Sequence, residues 1–293
     1  MSTRSAGNPG GAFSLSPMRL CAIDVGSNTV RLLVADVLDG ATWRVVDQDQ
    51  TITRLGESLA RTGVLGGAPM ARTLAAVSGY VERGIRLGAG DIRIVATSAV
   101  REASNGRAFA AAVEHATGRR VDVVSGEVEA GLTLRGVRHG LGPLTGHVLM
   151  FDIGGGSTEY VLSEGDAIRS MVSLRLGVVP LAERFAFPGV VDPKAYHELL
   201  DDVRRRLAGE LPEAIREARV AHLVGTAGTV TALAALELGL VRYDPDRVQG
   251  YVLSRAAVER LWPVSAGSRS KNERCSRVSS RGAPISSVRA PRS

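Results

Sequence analysis

Apolar runs and amphipathic stretches alternate along this chain, and the series runs through twice. RLCAIDV at 19–25 is a short apolar run with β-branched members, which predicts a buried strand. VRLLVADVLDG at 30–40 predicts a second strand, and its closing Asp39-Gly40 pair predicts a hairpin turn into TWRVVDQ at 42–48. Pro69 suits a first helical turn, and Met70, Leu74, Val77, Val81 and Ile85 form one stripe, so 69–87 is predicted to be a helix. A strand at 91–97, a helix at 104–118 capped by Ser104 or Asn105 and ended by Gly118, a strand at 121–125 and a helix at 126–139 complete the first series. The pattern then restarts with strands at 147–153, 157–163 and 167–174, helices over about 193–217, a strand at 221–226 and a helix at 229–238.

The restart is a duplication. CAIDVGSNTVRLLV at 21–34 aligns with LMFDIGGGSTEYVL at 149–162: apolar strand, Asp, β-branched residue, Gly, two small residues, second apolar strand. The fold class expected is α/β, two domains of like layout facing each other across a cleft. The expected division is a disordered leader at 1–17, a first domain at 18–142, a second at 143–263 and a disordered basic Ser/Arg-rich tail at 264–293.

The loops that head the two halves carry the candidate chemistry. Three successive glycines, Gly154, Gly155 and Gly156, make a poor strand or helix interior but expose backbone N–H groups with no side chain in the way, and such a concavity suits an anion. Ser157 and Thr158 add hydroxyls, and Asp152 can hold a divalent cation or orient a water. GTAGT at 225–229, with Gly225 and Gly228, opens a helix and offers a third anion-type turn. One glycine turn after a strand is ordinarily a tight turn and nothing more. Three of them, two with matched aspartates, point to a ligand. Neither a Walker A nor a G-x-G-x-x-G motif is present.

Composition narrows the classes. Two cysteines among 293 residues argue against a disulfide scaffold and fit a reducing, cytoplasmic setting. The five histidines show no metal-site spacing, and no run of 18 apolar residues predicts a membrane span. The net charge of +6 suggests nucleic acid, but residues 264–293 hold seven Lys/Arg and one acid, so the tail accounts for all of it and the rest is neutral.

Taken together, AIDVGSNTVRLLV, IVATSAVREASN, SGEVEAGL, DIGGGSTEYVL and GTAGTVTALAAL resemble, in order and spacing, the exopolyphosphatase and guanosine pentaphosphate phosphohydrolase (Ppx/GppA) family of the actin-like superfamily. The resemblance covers about residues 19–255. It implies two ribonuclease-H-like domains and release of a terminal phosphate from a polyanionic chain with Mg²⁺ or Mn²⁺. It assigns the catalytic carboxylate to Glu129, as general base for water, with Asp152 and Glu159 catalytic and near the water or metal. Position supports this: Glu129 falls in the first turn of the helix opened by Ser125-Gly126, where the dipole favours an ionised carboxylate; it is the family motif that ranks Glu127 below it. Asp24, Gly26, Ser27 and Asn28 would form the first phosphate loop, and Gly154, Gly155, Gly156 and Ser157 the second. Arg101 would contact phosphates, Thr97 and Ser98 would line the site, and Arg31 and Arg54 would face the cleft.

The family pattern continues past Pro263 with an apolar strand and helices, whereas this chain turns to nine Ser and seven basic residues. That ending has the composition of a shifted reading frame, and a second domain left incomplete is the expectation. The functions in view are exopolyphosphatase, guanosine pentaphosphate 5′-phosphohydrolase, a non-catalytic polyphosphate or nucleotide-binding regulator, and a sugar-kinase-like phosphotransferase. The implied partners are inorganic polyphosphate or guanosine pentaphosphate, with no membrane and no specific nucleic acid, and a homodimer is left open.

Overall fold

The computed structural model describes residues 18–38, 42–185, 187 and 191–261. The Asp39-Gly40 turn, the leader and the basic tail lie outside the described residues. Among the described residues, β1 (Met18–Val25), β2 (Thr29–Val37), β3 (Trp43–Ile52), β4 (Asp91–Ala96) and β5 (Val121–Val123) form one sheet in the order β3-β2-β1-β4-β5. The first three are antiparallel neighbours and β4 and β5 run parallel to β1. This is the ribonuclease-H-like arrangement. The second sheet repeats it: β6 (His147–Ile153), β7 (Thr158–Glu164), β8 (Ala167–Leu174) and β9 (His222–Thr226) stand in the order β8-β7-β6-β9. Among the described residues it has four strands where the first has five.

Alternation drives these strands together. Ile23, Leu32, Val34 and Ile94 are buried at alternate positions and pack beneath α2 (Gly67–Arg86) and α4 (Gly106–Thr117). Of the expected α2 stripe, Met70, Leu74, Val77 and Val81 face the core, and Ile85 alone does not. Val77, Tyr80, Val81 and Gly84 are buried while Ile85 is 54% exposed, because Gly84 sits against the Cys21 side chain. The helix expected over about 193–217 is two, α7 (Pro193–Glu210) and α8 (Glu213–Arg216), broken at Pro212, which has no amide to continue the ladder.

Short helices not anticipated from periodicity include α1 (Leu59–Thr62), α3 (Ser98–Glu102) and α6 (Val178–Arg184). They hold too few residues for a 3.6-period stripe. The helix expected to close the first domain, α5 (Gly126–Leu141), packs Ala130 and Leu134 on Met150 and Val161 of the second sheet. By packing it belongs with the second half, although the division at residue 142 groups it with the first. α9 (Ala227–Glu237) follows β9, and α10 (Pro245–Val248) and α11 (Arg255–Leu261) pack beside it.

A charge cluster ties the far edge of the first sheet. Arg19 on β1 grips the buried Asp36 on β2 through two bonds of 2.7 and 3.0 Å, and Arg44 on β3 adds a third at 3.0 Å. These partners pull the Asp36 carboxyl from 3.8 down to about 2. A lowered folded value means the contribution is full above the ordinary value and is lost as pH falls toward 2. Asp36→Asn is therefore expected to lower the melting temperature at pH 7 and to flatten its dependence between pH 4 and 2. Equal melting curves at pH 7 would show that the cluster does not hold the edge.

Candidate active site

Two hairpin tips of one design meet at the centre of the molecule. In the first, the Gly26 amide donates to the Thr29 carbonyl at 3.1 Å; at the matching positions of the second, the Gly154 amide donates to Ser157 at 3.0 Å. A Cβ on Gly155 would stand 2.9 Å from the Asn28 nitrogen, and one on Gly156 would stand 2.6 Å from Ser27 Oγ and 2.7 Å from Ser98 Oγ. The hairpins approach too closely for any side chain there, which is a second reason for the glycines.

The carbonyls of both tips are tied from behind. The amides of Thr53 and Arg54 donate to the Asn28 carbonyl, and that of Gly56 to Ser27 at 2.8 Å. Gly177, Val178 and Val179, at the start of α6, donate to the carbonyls of Gly156, Gly154 and Gly155. In a trans peptide the N–H points opposite to the C=O. Anchoring these carbonyls therefore turns the amides of Asn28, Gly155, Gly156 and Ser157 away from the anchors, giving a run of donors suited to an anion.

Acids gather beside the tips. Asp24, next to last in β1, is held by Arg31, its cross-strand partner, at 3.1 Å. At the equivalent register of the second sheet Asp152 faces Glu159, so an acid stands where the first half has an arginine. Glu159 is 2% exposed and accepts from Ser173 Oγ at 2.7 Å. Asp152 accepts from Thr226 at 3.4 Å. Glu129 enters on the first turn of α5, capped by Ser125, because Gly126 lies against Ser173, where a Cβ would come within 2.6 Å. Arg101 on α3 donates to Glu129 at 3.0 Å and to the Val124 carbonyl at 2.9 Å.

Burial, and then the charge of Glu159, raise Glu129 to about 7 against the pull of Arg101. The same two causes raise Asp152 to about 6. Burial raises Glu159, with Ser173 opposing. Glu127 is exposed, and the Ser125 hydroxyl lowers it, which separates it from Glu129.

The structure thus brings Asp24, Gly26, Ser27, Asn28, Ser98, Gly154, Gly155, Gly156 and Ser157 to one place, with Thr97 capping α3 beside the end of β1. Arg101, Glu129, Asp152 and Glu159 stand around it. Gly225 lies within β9, where a Cβ would meet Phe151 at 2.7 Å, and Gly228 stands in the first turn of α9, two residues after the Thr226 that bonds to Asp152. Arg54 is exposed, in the left-handed region at φ 52°. Ser173, Thr226 and Gly177 were not anticipated. A signal for Gly177 existed: Gly56 and Gly177 each follow the third strand of their half by a few residues.

A family model described as the Ppx/GppA phosphatase family matches residues 33–277. The chain is 35% identical over 237 residues to exopolyphosphatase 2 of Mycobacterium tuberculosis, covering 77% of this chain and 73% of that one. It is 37% identical over 163 residues to a guanosine-5′-triphosphate,3′-diphosphate pyrophosphatase of Vibrio cholerae, covering 56% of this chain and 32% of that one. The crystal structure of the Aquifex aeolicus member of the Ppx/GppA protein family superposes with a TM-score of 0.68 at 32% identity, over 83% of this chain and 77% of that one.

A carboxylate raised by burial destabilises the fold once ionised. For Glu129 that cost grows from its ordinary value of 4.5 up to about 7 and is full above it. Glu129→Gln is expected to gain on the order of 2 kcal/mol of stability at pH 8, a gain that fades by pH 5. Urea unfolding at the two pH values measures it, and a gain independent of pH would contradict the electrostatic origin.

Proposed function

The chain belongs to the Ppx/GppA phosphatase family, and within it we propose an exopolyphosphatase that hydrolyses the terminal phosphate of inorganic polyphosphate with Glu129 as general base. The relatives' names describe cleavage of phosphoanhydride bonds, so the chain is an enzyme of that class. The observation that carries the finer reading is the pairing of Glu129 with Arg101 beside two amide-lined hairpin tips. The relative covered over 73% of its length is an exopolyphosphatase, whereas the pyrophosphatase is covered over 32%.

The terminal phosphate sits against both tips, and the amides of Asn28, Gly155 and Gly156 donate to its oxygens. Ser27 and Ser98 are joined at 2.8 Å, which leaves one of their two hydroxyl protons to donate from the first half. Arg101 moves its charge from Glu129 to the arriving phosphate. Glu129, released, takes a proton from the water that attacks phosphorus, and the bond to the next phosphate breaks with the shortened chain leaving as an anion. A base with a value of about 7 is about half ionised at neutral pH and basic enough to accept a proton.

Asp152 and Glu159 suit Mg²⁺. Among the described residues no three Asp, Glu, His or Cys side chains form a metal cage, but Mg²⁺ is ordinarily held by one or two carboxylates together with water and substrate phosphate. Burial first and then the charge of Glu159 raise Asp152, and a cation would relieve the second. When bound, Mg²⁺ supplies positive charge to the phosphate oxygens. We place the enzyme in the cytoplasm on its cysteine content; no helix among the described residues is long and apolar enough to cross a membrane.

The 37%-identical pyrophosphatase favours guanosine pentaphosphate as a second substrate reading. Phosphate release from polyphosphate and from guanosine pentaphosphate, with saturating Mg²⁺, decides between them. The expected result is a higher kcat/KM on polyphosphate, an acid limb near pH 7, and a loss of about 10²-fold or more in Glu129→Ala. Preference for the nucleotide would select the second reading, and full activity in the variant would remove Glu129 as base.

A further inference from the structure

The two anchors behind the hairpin tips are themselves joined. The segment 53–58 holds the first tip and α6 holds the second. Between them the Ser58 amide donates to Glu183 Oε1 at 2.6 Å, from the loop before α1 to a side chain on α6. Donation to a carboxylate makes this a charge-assisted bond. Ser58 holds the left-handed backbone, φ 63°, a strained state for any residue but glycine. Capping does not explain that strain, because the Ser58 side chain makes no cap bond to α1. An ordinary N-cap is extended and lends its side-chain oxygen to the helix. Here the backbone is turned, and the amide goes to the opposite half.

Other contacts cross between the halves, Arg101 with Glu129 at the site among them, but these do not join the two anchors. Arg175 pairs with Glu102 at 3.0 Å, an ion pair whose arginine is 73% exposed, and neither residue bonds to an anchor. The Ser58–Glu183 bond connects the segment that sets the position of Ser27 and Asn28 to the helix that sets Gly154 to Gly156.

We infer that Glu183 is a positioning residue: by holding the Ser58 amide it fixes the spacing of the two hairpin tips, and with it the width of the seat for a phosphate. The role assumes the phosphate site proposed above, but the spacing can be measured without it. Glu183 is exposed, so its replacement leaves the core intact.

The test compares Glu183→Ala, Glu183→Gln and Ser58→Gly. Gln keeps an acceptor oxygen, and Gly keeps the amide while removing the strain, so both are expected to match the wild type. Glu183→Ala is expected to raise KM for polyphosphate about tenfold, with a much smaller change in kcat. The independent readout is the distance between spin labels at exposed positions 60 and 201, in a background with Cys275 replaced; it is expected to lengthen or broaden in Glu183→Ala and in neither control. Unchanged KM and unchanged distance in Glu183→Ala would overturn the inference. So would lower thermal stability without a change in either. If the wild type cleaves neither polyphosphate nor guanosine pentaphosphate, the functional reading fails, and the label distances alone decide the role of Glu183.

Discussion

A peptide unit carries its donor and its acceptor on opposite edges, so tying one edge commits the direction of the other. That constraint organises the centre of this molecule. The carbonyls of Ser27, Asn28, Gly154, Gly155 and Gly156 all accept from segments lying behind them, and the amides of the same peptide planes are thereby turned away. Removing the anchors would let the planes rotate and the donor array would disperse. The glycines serve the same arrangement, because the tips come so close that a methyl group on Gly156 would collide with Ser27 and Ser98.

The duplication supplies two such hairpins, and a change at one register makes them unequal. Arg31 faces Asp24 in the first half, and Glu159 faces Asp152 in the second. The first pair neutralises itself. The second concentrates negative charge in a buried place, which is costly for the fold and useful for catalysis. Helix α5 then brings a further acid to that side: Gly126 lies on Ser173, Ser173 holds Glu159, and Glu129 stands one turn along with its proton affinity raised. Arg101 offsets part of this charge from the opposite half. The two tips thus turn their donors toward a place where an arginine is already engaged with Glu129.

Much of this was legible in the residues. The strand pairs and their matched Asp–Gly tips are short-range patterns, and a repeated pattern is harder to reach by chance than a single one. Glu129 was legible as a first-turn acid, though nothing in the spacing separated it from Glu127; burial and the Ser125 hydrogen bond do that in three dimensions. Arg31 opposite Glu159 could have been read from the same alignment that revealed the repeat. The anchors could not. Gly177, Val178 and Val179 act through backbone amides, which leave no trace in side-chain identity, and Ser173 and Thr226 matter only because other strands carry them to the acids. The packing of α5 on the second sheet was hidden for a related reason, since an amphipathic stripe states that a face is buried and not which sheet buries it.

The claim on which the account rests is that both hairpin tips hold the same phosphate group. Amide nitrogen–proton NMR during titration with a non-hydrolysable, methylene-bridged triphosphate and Mg²⁺ addresses it directly. The account predicts that the amides of Asn28, Gly155 and Gly156 shift together and saturate with one dissociation constant. Shifts confined to one tip, or shifts of the two tips with different constants, would contradict it.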